Sequence, residues 1–566
     1  MKTLSGTKRA QAFEYPVGMT HFFKAAPRQA MNLWWATPLI LLLCATVFWP
    51  GFSADWGRDD YMQLAMARLV GSPWPFFIID HFPLPNSVFR PLGFASFWLG
   101  QAVAGSNFQT HAAFSLALFA SIALLFHALL LRFGIKPLAA LAATLFLALH
   151  PVTVGTALWW SARFDILAVL FVLLALHQVQ MTIMTNKSRH LAGTLLALLA
   201  AALSKEIGLI GAAAAFLLFQ HWAWTRKQSF WAAQRACLLC ISVVVVFLAW
   251  RSAVLGTGGS GIVAGTGLFE SLIEGMQRWF ELAPIYFAFQ PQLAWSSTLL
   301  MLVVVFFAGA LVPLHGAGTN SDSQRRPGVG LALTGLSLAL LPALLQAPVV
   351  RLNALPLTAE ISAVEAAMQS RLYFMSLTGL GLLLALLFDR VLRSRGRLQA
   401  LSLLLGCSVL IASLAVGSHQ QARSFADVSA RNAELARRAM AVARGVDWPE
   451  TAPCHLVLEG ITPPPEWSVY VSMDSVIKAL HPDLEAIDHC FIHANYPTFY
   501  HLIGSEHGNA NSAPFQAPVY SNGPLARRQI GGLTFAYLQG ADALTEDERA
   551  ALQRRSIAAG DPATNR

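Results

Sequence analysis

The residues best suited to chemistry are ionisable side chains set against apolar runs. The stretch "SADWGRDDYMQLAMARLV", residues 53–70, follows directly on "LWWATPLILLLCATVFWPGF" and carries Asp55, Asp59 and Asp60. Later come Arg90 in "VFRPL", Arg163 and Asp165 in "WWSARFDILA", Lys205 and Glu206 in "LSKEIGL", and Arg371 and Tyr373 in "QSRLYFMSL". Ionisable groups at membrane depth line cavities or substrate paths rather than face lipid. A carboxylate there can take a proton from a reacting group, and a cation can steady negative charge as a bond breaks. Each group also has a structural reading. Arg163 and Asp165 can be an ion pair at a helix start, where Asp also complements the dipole. Lys205 and Glu206 can be the solvated apex of a turn. Asp59 and Asp60 can cap a helix over 61–70, a task that needs only one of them. His150 in "LHPVT" reads as a boundary histidine, because no second His or Cys stands at ligand spacing. Trp159 and Trp160 read as interfacial anchors.

The elements that must position these groups follow from composition. The 566 residues are 55% hydrophobic and only 12% charged, with a mean hydropathy of +0.52. That is too apolar for a soluble enzyme of this length and describes an α-helical polytopic membrane protein. The net charge of +9 is scattered in short clusters, which excludes a nucleic-acid face and makes anionic membrane lipid the partner. Residues 1–32 are no cleavable signal peptide, since the apolar run starts late and lacks a small-residue cleavage site.

Runs of about 20 apolar residues predict spans at 33–52, 108–131, 138–157, 164–183, 236–255, 296–314, 328–347, 371–389 and 398–417. Basic residues place the cytoplasmic side: Lys2, Lys8, Arg9, Lys24 and Arg28, then Arg132 with Lys136, Lys187 with Arg189, Arg325 with Arg326, and Arg390 to Arg397. The stretch 190–224 is basic at both ends, so it crosses twice, with "SKE" at the far apex. About eleven spans result, with the N-terminus cytoplasmic, the C-terminus periplasmic and a first outer loop at 53–107. Residues 276–292 then read as an amphipathic helix on the outer surface. The first arm of the hairpin, 191–204, is about 21 Å long against a hydrocarbon core of about 30 Å, so its apex can sit below the surface.

The chain divides into a cytoplasmic segment 1–32, a transmembrane domain 33–417 and an outer domain 418–566. The last is ordinarily polar, opens with a helix-like run and contains strand candidates "CHLVLEG", "HCFIHA" and "LTFAYLQ", so it reads as a small α/β domain. Its two cysteines, Cys454 and Cys490, lie outside membrane runs, in a compartment that favours disulfides, and are candidates for one. Internal repeats, a P-loop, a dinucleotide fingerprint and zinc spacing are all missing from the sequence. Arg90, Arg163, Lys205, Arg351 and Arg371 break the positive-inside rule, each at an outer boundary. Carboxylates accompany three of them in sequence: Asp80 near Arg90, Asp165 near Arg163, and Glu206 beside Lys205.

These motifs, in this order, resemble the GT-C class of polytopic glycosyltransferases, and within it the protein O-mannosyltransferase-like group, which includes tetratricopeptide-repeat enzymes. "RDDY" resembles that group's acidic pair, "VFRPL" its Arg-Pro-Leu signature, and "LHPVTVGTALWWSARFDILA" its His-Pro-Val and Gly-Arg-Ala-Asp-like segment. "LSKEIGL" resembles its Cys-Lys-Glu turn, and "QSRLYFMSL" its Glu-Ser-Arg-Tyr-like segment. The sequence departs from the pattern at Ser161 to Asp165 and at Leu372, and its tail has no tetratricopeptide pattern. Bacterial relatives with a short outer domain are the closer likeness.

The resemblance implies an inner-membrane enzyme that transfers a sugar from a polyprenyl-phosphate donor to an acceptor at the periplasmic face. It points to Asp59 or Asp60 as general base, with Asp59 favoured because it matches the first member of the acidic pair and leaves Asp60 to cap the helix. Arg90, Arg163, Asp165, Lys205, Glu206, Arg371 and Tyr373 are the implied substrate-binding residues. A phosphate departs as a stable anion, so one carboxylate base and cationic stabilisation suffice, with inversion at the anomeric carbon. No cofactor is required, although paired carboxylates can bind a divalent cation. The acceptor, protein or glycan, is left open. A polysaccharide polymerase or ligase would carry a larger late outer loop. A transporter of lipid-linked sugars would show pseudo-symmetric halves and charges near the midplane.

Overall fold

The computed structural model describes residues 35–57, 59–79, 88–225, 230–256, 268–287, 327–352, 369–394, 397–444, 454–459, 473–483, 487, 490–493, 527–530 and 533–537. Its helices are α1 (Trp35–Ser53), α2 (Asp59–Leu69), α3 (Pro91–Ala104), α4 (Phe108–Arg132), α5 (Pro137–Leu149) and α6 (Thr153–Leu158). They continue with α7 (Arg163–Thr185), α8 (Ser188–Ser204), α9 (Ile210–Thr225), α10 (Phe230–Leu255), α11 (Leu268–Phe287), α12 (Pro327–Leu352), α13 (Phe374–Ser394), α14 (Arg397–Ala443) and α15 (Met473–Leu480). Among the described residues seven helices are long and apolar enough to cross a membrane, and Pro137–Leu149 and Ser188–Ser204 are shorter apolar helices. Every expected span except 296–314, which lies outside the described residues, has a helical counterpart. So does the amphipathic segment, here α11. Asp80 and the Arg325/Arg326 loop also lie outside the described residues.

Local signals fix the helix ends. Proline opens α3 and α5 at the first turn, where its missing N–H costs nothing. The Asn107 side chain accepts the Thr110 N–H at 2.9 Å and caps α4, and Asn186 in the left-handed region (φ 51°) closes α7. Two expectations change. The span at 138–157 is not one helix: α5 stops at Leu149, because His150 precedes a proline and adopts extended backbone, and α6 restarts at Thr153. The change of composition at 417/418 falls inside one unbroken helix, α14. At 47 residues and 1.5 Å per residue it runs about 70 Å, more than twice a hydrocarbon core, so it carries the chain well beyond the membrane.

The two ends of the bundle differ chemically. At one end Lys136 donates its backbone N–H to Asp389 (2.8 Å) and its ammonium to the Leu392 carbonyl (2.6 Å). There also Arg393 reaches the Gly134 carbonyl (2.7 Å) and Arg132 meets Met181. These are the basic connections expected on the cytoplasmic side. At the far ends of α7 and α13 stand Arg163, Asp165 and Arg371. Since α7 is 23 residues long, about 35 Å separates the two sets.

Beyond that second end lies a four-stranded mixed sheet of β1 (Cys454–Glu459), β2 (Cys490–His493), β3 (Arg527–Ile530) and β4 (Leu533–Tyr537), in the order β2-β1-β4-β3. β1 runs parallel to β2 and β4, and β3 is antiparallel to β4. With α15 in the connection from β1 to β2, this is the expected small α/β domain.

Candidate active site at one end of the bundle

The segment before α2 is wedged rather than loose. Trp56 is buried and packs edge-on against Phe108, His111 and Trp160, with ring centroids 5.2, 5.1 and 4.9 Å away. The Tyr61 hydroxyl donates to the Trp56 carbonyl (2.9 Å). This fixes the first turn of α2, where the two aspartates sit in different surroundings. Asp60 is 2% exposed. One of its carboxylate oxygens accepts the Ser161 N–H (2.9 Å) and hydroxyl (2.7 Å), and the other accepts the Gly57 N–H (3.3 Å). Burial pushes its carboxyl up to about 7, against the pull of those hydrogen bonds and with a small contribution from neighbouring Asp59. Asp59 is half-buried. The cap expected of Asp60 is therefore different in kind: its side chain ties α2 to the loop before it and to the turn Trp160–Ala162, rather than to an amide of its own helix.

The cations and the remaining carboxylates form a second group. Lys205 Nζ lies 2.6 Å from one oxygen of Asp165, and Arg371 Nε lies 3.8 Å from the other. Arg90 Nε donates to Glu206 at 2.8 Å. The pairs are thus not those suggested by sequence adjacency: Asp165 serves Lys205 and Arg371, Glu206 serves Arg90, and Arg163 does not pair with Asp165. The local backbone explains why. Lys205 leaves α8 in extended conformation, which turns it toward the start of α7. Gly208 then lies against the backbone of Ala201, where a Cβ would collide, so the hairpin can fold back tightly only on glycine. The apex is sunken, as its short arm implies. Lys205 is 7% exposed, so it is not a solvated turn, whereas the Glu206 side chain keeps 29% exposure.

Two of the implied binding residues stand apart from any open surface. Arg163 is 0% exposed. Its guanidinium donates to Ser115 Oγ (3.1 Å) and to the Ser96 and His111 carbonyls (3.2 and 3.5 Å), and lies over Phe97, Phe114 and Trp160. It binds α3, α4 and α7 together. Tyr373 is also fully buried; its hydroxyl donates to the Trp279 carbonyl (2.8 Å) and its ring packs on Trp279 at 4.7 Å. It anchors α11 to the turn Arg371–Tyr373.

Arg371 itself is differently held. Its guanidinium lies 4.0 Å from the centre of the Trp159 ring, its contact with Asp165 is long, and its side chain is 25% exposed. Arg90 keeps 20% exposure and uses only Nε on Glu206. The cluster pairs three cations, Arg90, Lys205 and Arg371, with two carboxylates, Asp165 and Glu206. Asp60 is bound to Ser161 and Arg371 lies over Trp159, two residues away along the chain, so the acidic start of α2 adjoins the cation cluster. Among the described residues no three His, Cys, Asp or Glu side chains converge as metal ligands.

Sequence reasoning missed Ser161 and Trp159. Ser161 stood only as a departure from a pattern, and Trp159 and Trp160, read as interfacial anchors, are buried inside the bundle at 2% and 1% exposure. The usable signal was the run "WWSARFD" itself: polar residues this dense beside two tryptophans suit an enclosed polar site better than a lipid interface. His150 accepts the Val152 N–H (3.2 Å) at its own turn, in keeping with a boundary role.

No protein-family model matches the chain. No curated protein matches it either. Among solved structures it is similar to ArnT from Cupriavidus metallidurans bound to undecaprenyl phosphate, with 13% identity and a TM-score of 0.41 over 78% of this chain and 84% of that one. The apo state of the same protein gives 13% identity and a TM-score of 0.38 over 78% and 85%.

Proposed function

We propose that the chain is a membrane glycosyltransferase that moves a sugar from a polyprenyl-phosphate donor to an acceptor at the outer face. The observation that carries this reading is convergence. Residues from Asp59 to Arg371, spread over more than half the sequence, meet at one end of the helical bundle, opposite the basic connections. They supply the two things the reaction asks for, a carboxylate to take a proton and cations to hold a departing phosphate.

Roles follow from exposure. Asp60 is enclosed and holds Ser161 and Gly57, whereas Asp59 is half-buried; on that difference in exposure Asp59 is the base that takes the acceptor's proton as the sugar bond breaks, and Asp60 holds α2 in place for it. Arg371, lying over the Trp159 ring and only loosely engaged with Asp165, offers a planar fork for phosphate oxygens. Arg90 offers its free Nη pair from the other side of the cluster. Lys205 and Asp165 set the position of Arg371. Arg163, fully enclosed, positions α7 and touches no substrate. Backside attack on the anomeric carbon, with phosphate leaving, gives inversion.

The experiment is turnover of a labelled polyprenyl-phosphate sugar by purified protein in detergent. Release of polyprenyl phosphate with label moving to a water-soluble or protein acceptor supports the reading. Passage of intact donor across liposomes without bond cleavage would instead support a transporter.

A further inference from the structure

The outer domain grips the base-bearing helix at several points, and Arg68 is the most heavily used. Arg68, in the last turn of α2, donates to the carbonyls of Lys478 (2.9 Å), Ala479 (2.8 Å) and His481 (2.8 Å). Those are orphan acceptors at the C-terminal end of α15, where a cation also complements the helix dipole. Around this contact Val476, Ile477 and Ala479 of α15 are 0% exposed and share one apolar core with Tyr61 and Leu64 of α2. A second tie runs from Arg437, near the end of α14, to Asp55 at 3.0 Å. Both ends of the acidic segment 55–69 are therefore held from outside the membrane bundle.

What holds α15 in turn is the ladder on either side of it. α15 lies in the connection between β1 and β2, which are adjacent and parallel, and within that ladder Cys454 stands opposite Cys490. Adjacent strands lie about 4.8 Å apart, inside the Cα separation of about 4.4–6.8 Å that a disulfide accepts. Opposed residues of neighbouring strands also share a face of the sheet. The described cysteines of the membrane helices, Cys44, Cys237, Cys240 and Cys407, are free thiols.

We propose that Cys454 and Cys490 form a disulfide that closes the β1–α15–β2 unit, and that this closed unit is what holds α2 and its aspartates in position. The two thiols give up two protons and two electrons to a disulfide-bearing oxidant by exchange, and that oxidant leaves as two thiols. The closed loop of roughly 36 residues constrains the connection that carries α15.

The bond itself is tested without reference to catalysis. Full-length protein is trapped from untreated membranes, unfolded in detergent with a thiol-alkylating reagent, and mapped by mass spectrometry. Cys454 and Cys490 should escape alkylation until a reductant is added, while Cys44, Cys237, Cys240 and Cys407 react at once. Alkylation of both outer cysteines before reduction overturns the disulfide.

Its role in holding α2 rests on the proposed transfer reaction and is read separately. Reduction of the purified enzyme should lower kcat by about tenfold with little change in KM for the lipid donor. The Cys454→Ser/Cys490→Ser double variant should show that lower rate without reductant and no further response to it. A wild-type rate in reduced protein and in the double variant overturns the clamp while leaving the bond. Absence of transfer in oxidised wild type, with the bond present, overturns the functional reading alone.

Discussion

Asp165 is the hub of the cation cluster, and neutralising it should unsettle Lys205 first. The Asp165 side chain is 4% exposed and that of Lys205 is 9% exposed, with 2.6 Å between charges. At an effective dielectric of about 20 the pair attracts by about 6 kcal/mol. The Arg371 contact at 3.8 Å attracts by about 4 kcal/mol on the same scale, but Arg371 is 25% exposed and solvent screens most of that. Desolvation of both ions offsets much of the gain, so the intact pair is close to neutral for stability. Removing one partner is not, because an uncompensated buried charge costs about 3–5 kcal/mol. Asp165→Asn should therefore lower the unfolding midpoint in detergent micelles by about 3–4 °C, followed by tryptophan fluorescence. Adding Lys205→Met should restore most of the loss, with a coupling of about 2 kcal/mol or more in the double-mutant cycle. A single variant within about 1 kcal/mol of wild type, or a double variant as unstable as the sum of the singles, would refute the buried pair.

Three further outcomes follow. Arg371→Lys keeps the charge but loses the fork and the guanidinium contact over the Trp159 ring, so affinity for the polyprenyl-phosphate donor should fall about tenfold with folding intact; unchanged donor titration by KM or direct binding would remove Arg371 from phosphate recognition. Because burial raises the Asp60 carboxyl from 3.8 to about 7, its contribution to stability is fully present below about 3.8 and is lost as pH rises through about 7. The unfolding midpoint should show that decline in wild type and lack it in Asp60→Asn, while Ser161→Ala, which removes a bond favouring the anion, should extend the decline to higher pH. Reporters fused after residues 135, 188 and 394 should be cytoplasmic and those after 258, 355 and 450 periplasmic, and a reversed pattern would put the cluster on the wrong face.

The sequence made the helices legible because about 20 consecutive apolar residues admit one structure in a bilayer, and basic connections order its ends. The small α/β domain was legible from short alternating runs. Pairing inside the site was not. Asp165 stands two residues from Arg163 yet pairs with Lys205 and Arg371, because the first turn of a helix sends successive side chains to different neighbours. Arg163 and Tyr373 matched a motif, but the motif holds the scaffold as well as the chemistry, and only burial separates the two. The break at His150 could be anticipated from Pro151. The continuity of α14 could not, since a helix that leaves the bilayer changes its composition without changing its backbone.

The most direct test of the proposed chemistry compares transfer by Asp59→Asn and Asp60→Asn, purified and matched for thermal stability. Asparagine keeps the size of the side chain and removes its proton affinity. If Asp59 is the base, its variant should lose about 10²- to 10⁴-fold in rate, and the Asp60 variant should lose less, in proportion to how far α2 shifts. Full activity in both variants would contradict a carboxylate base on α2, and loss confined to the Asp60 variant would exchange the two roles.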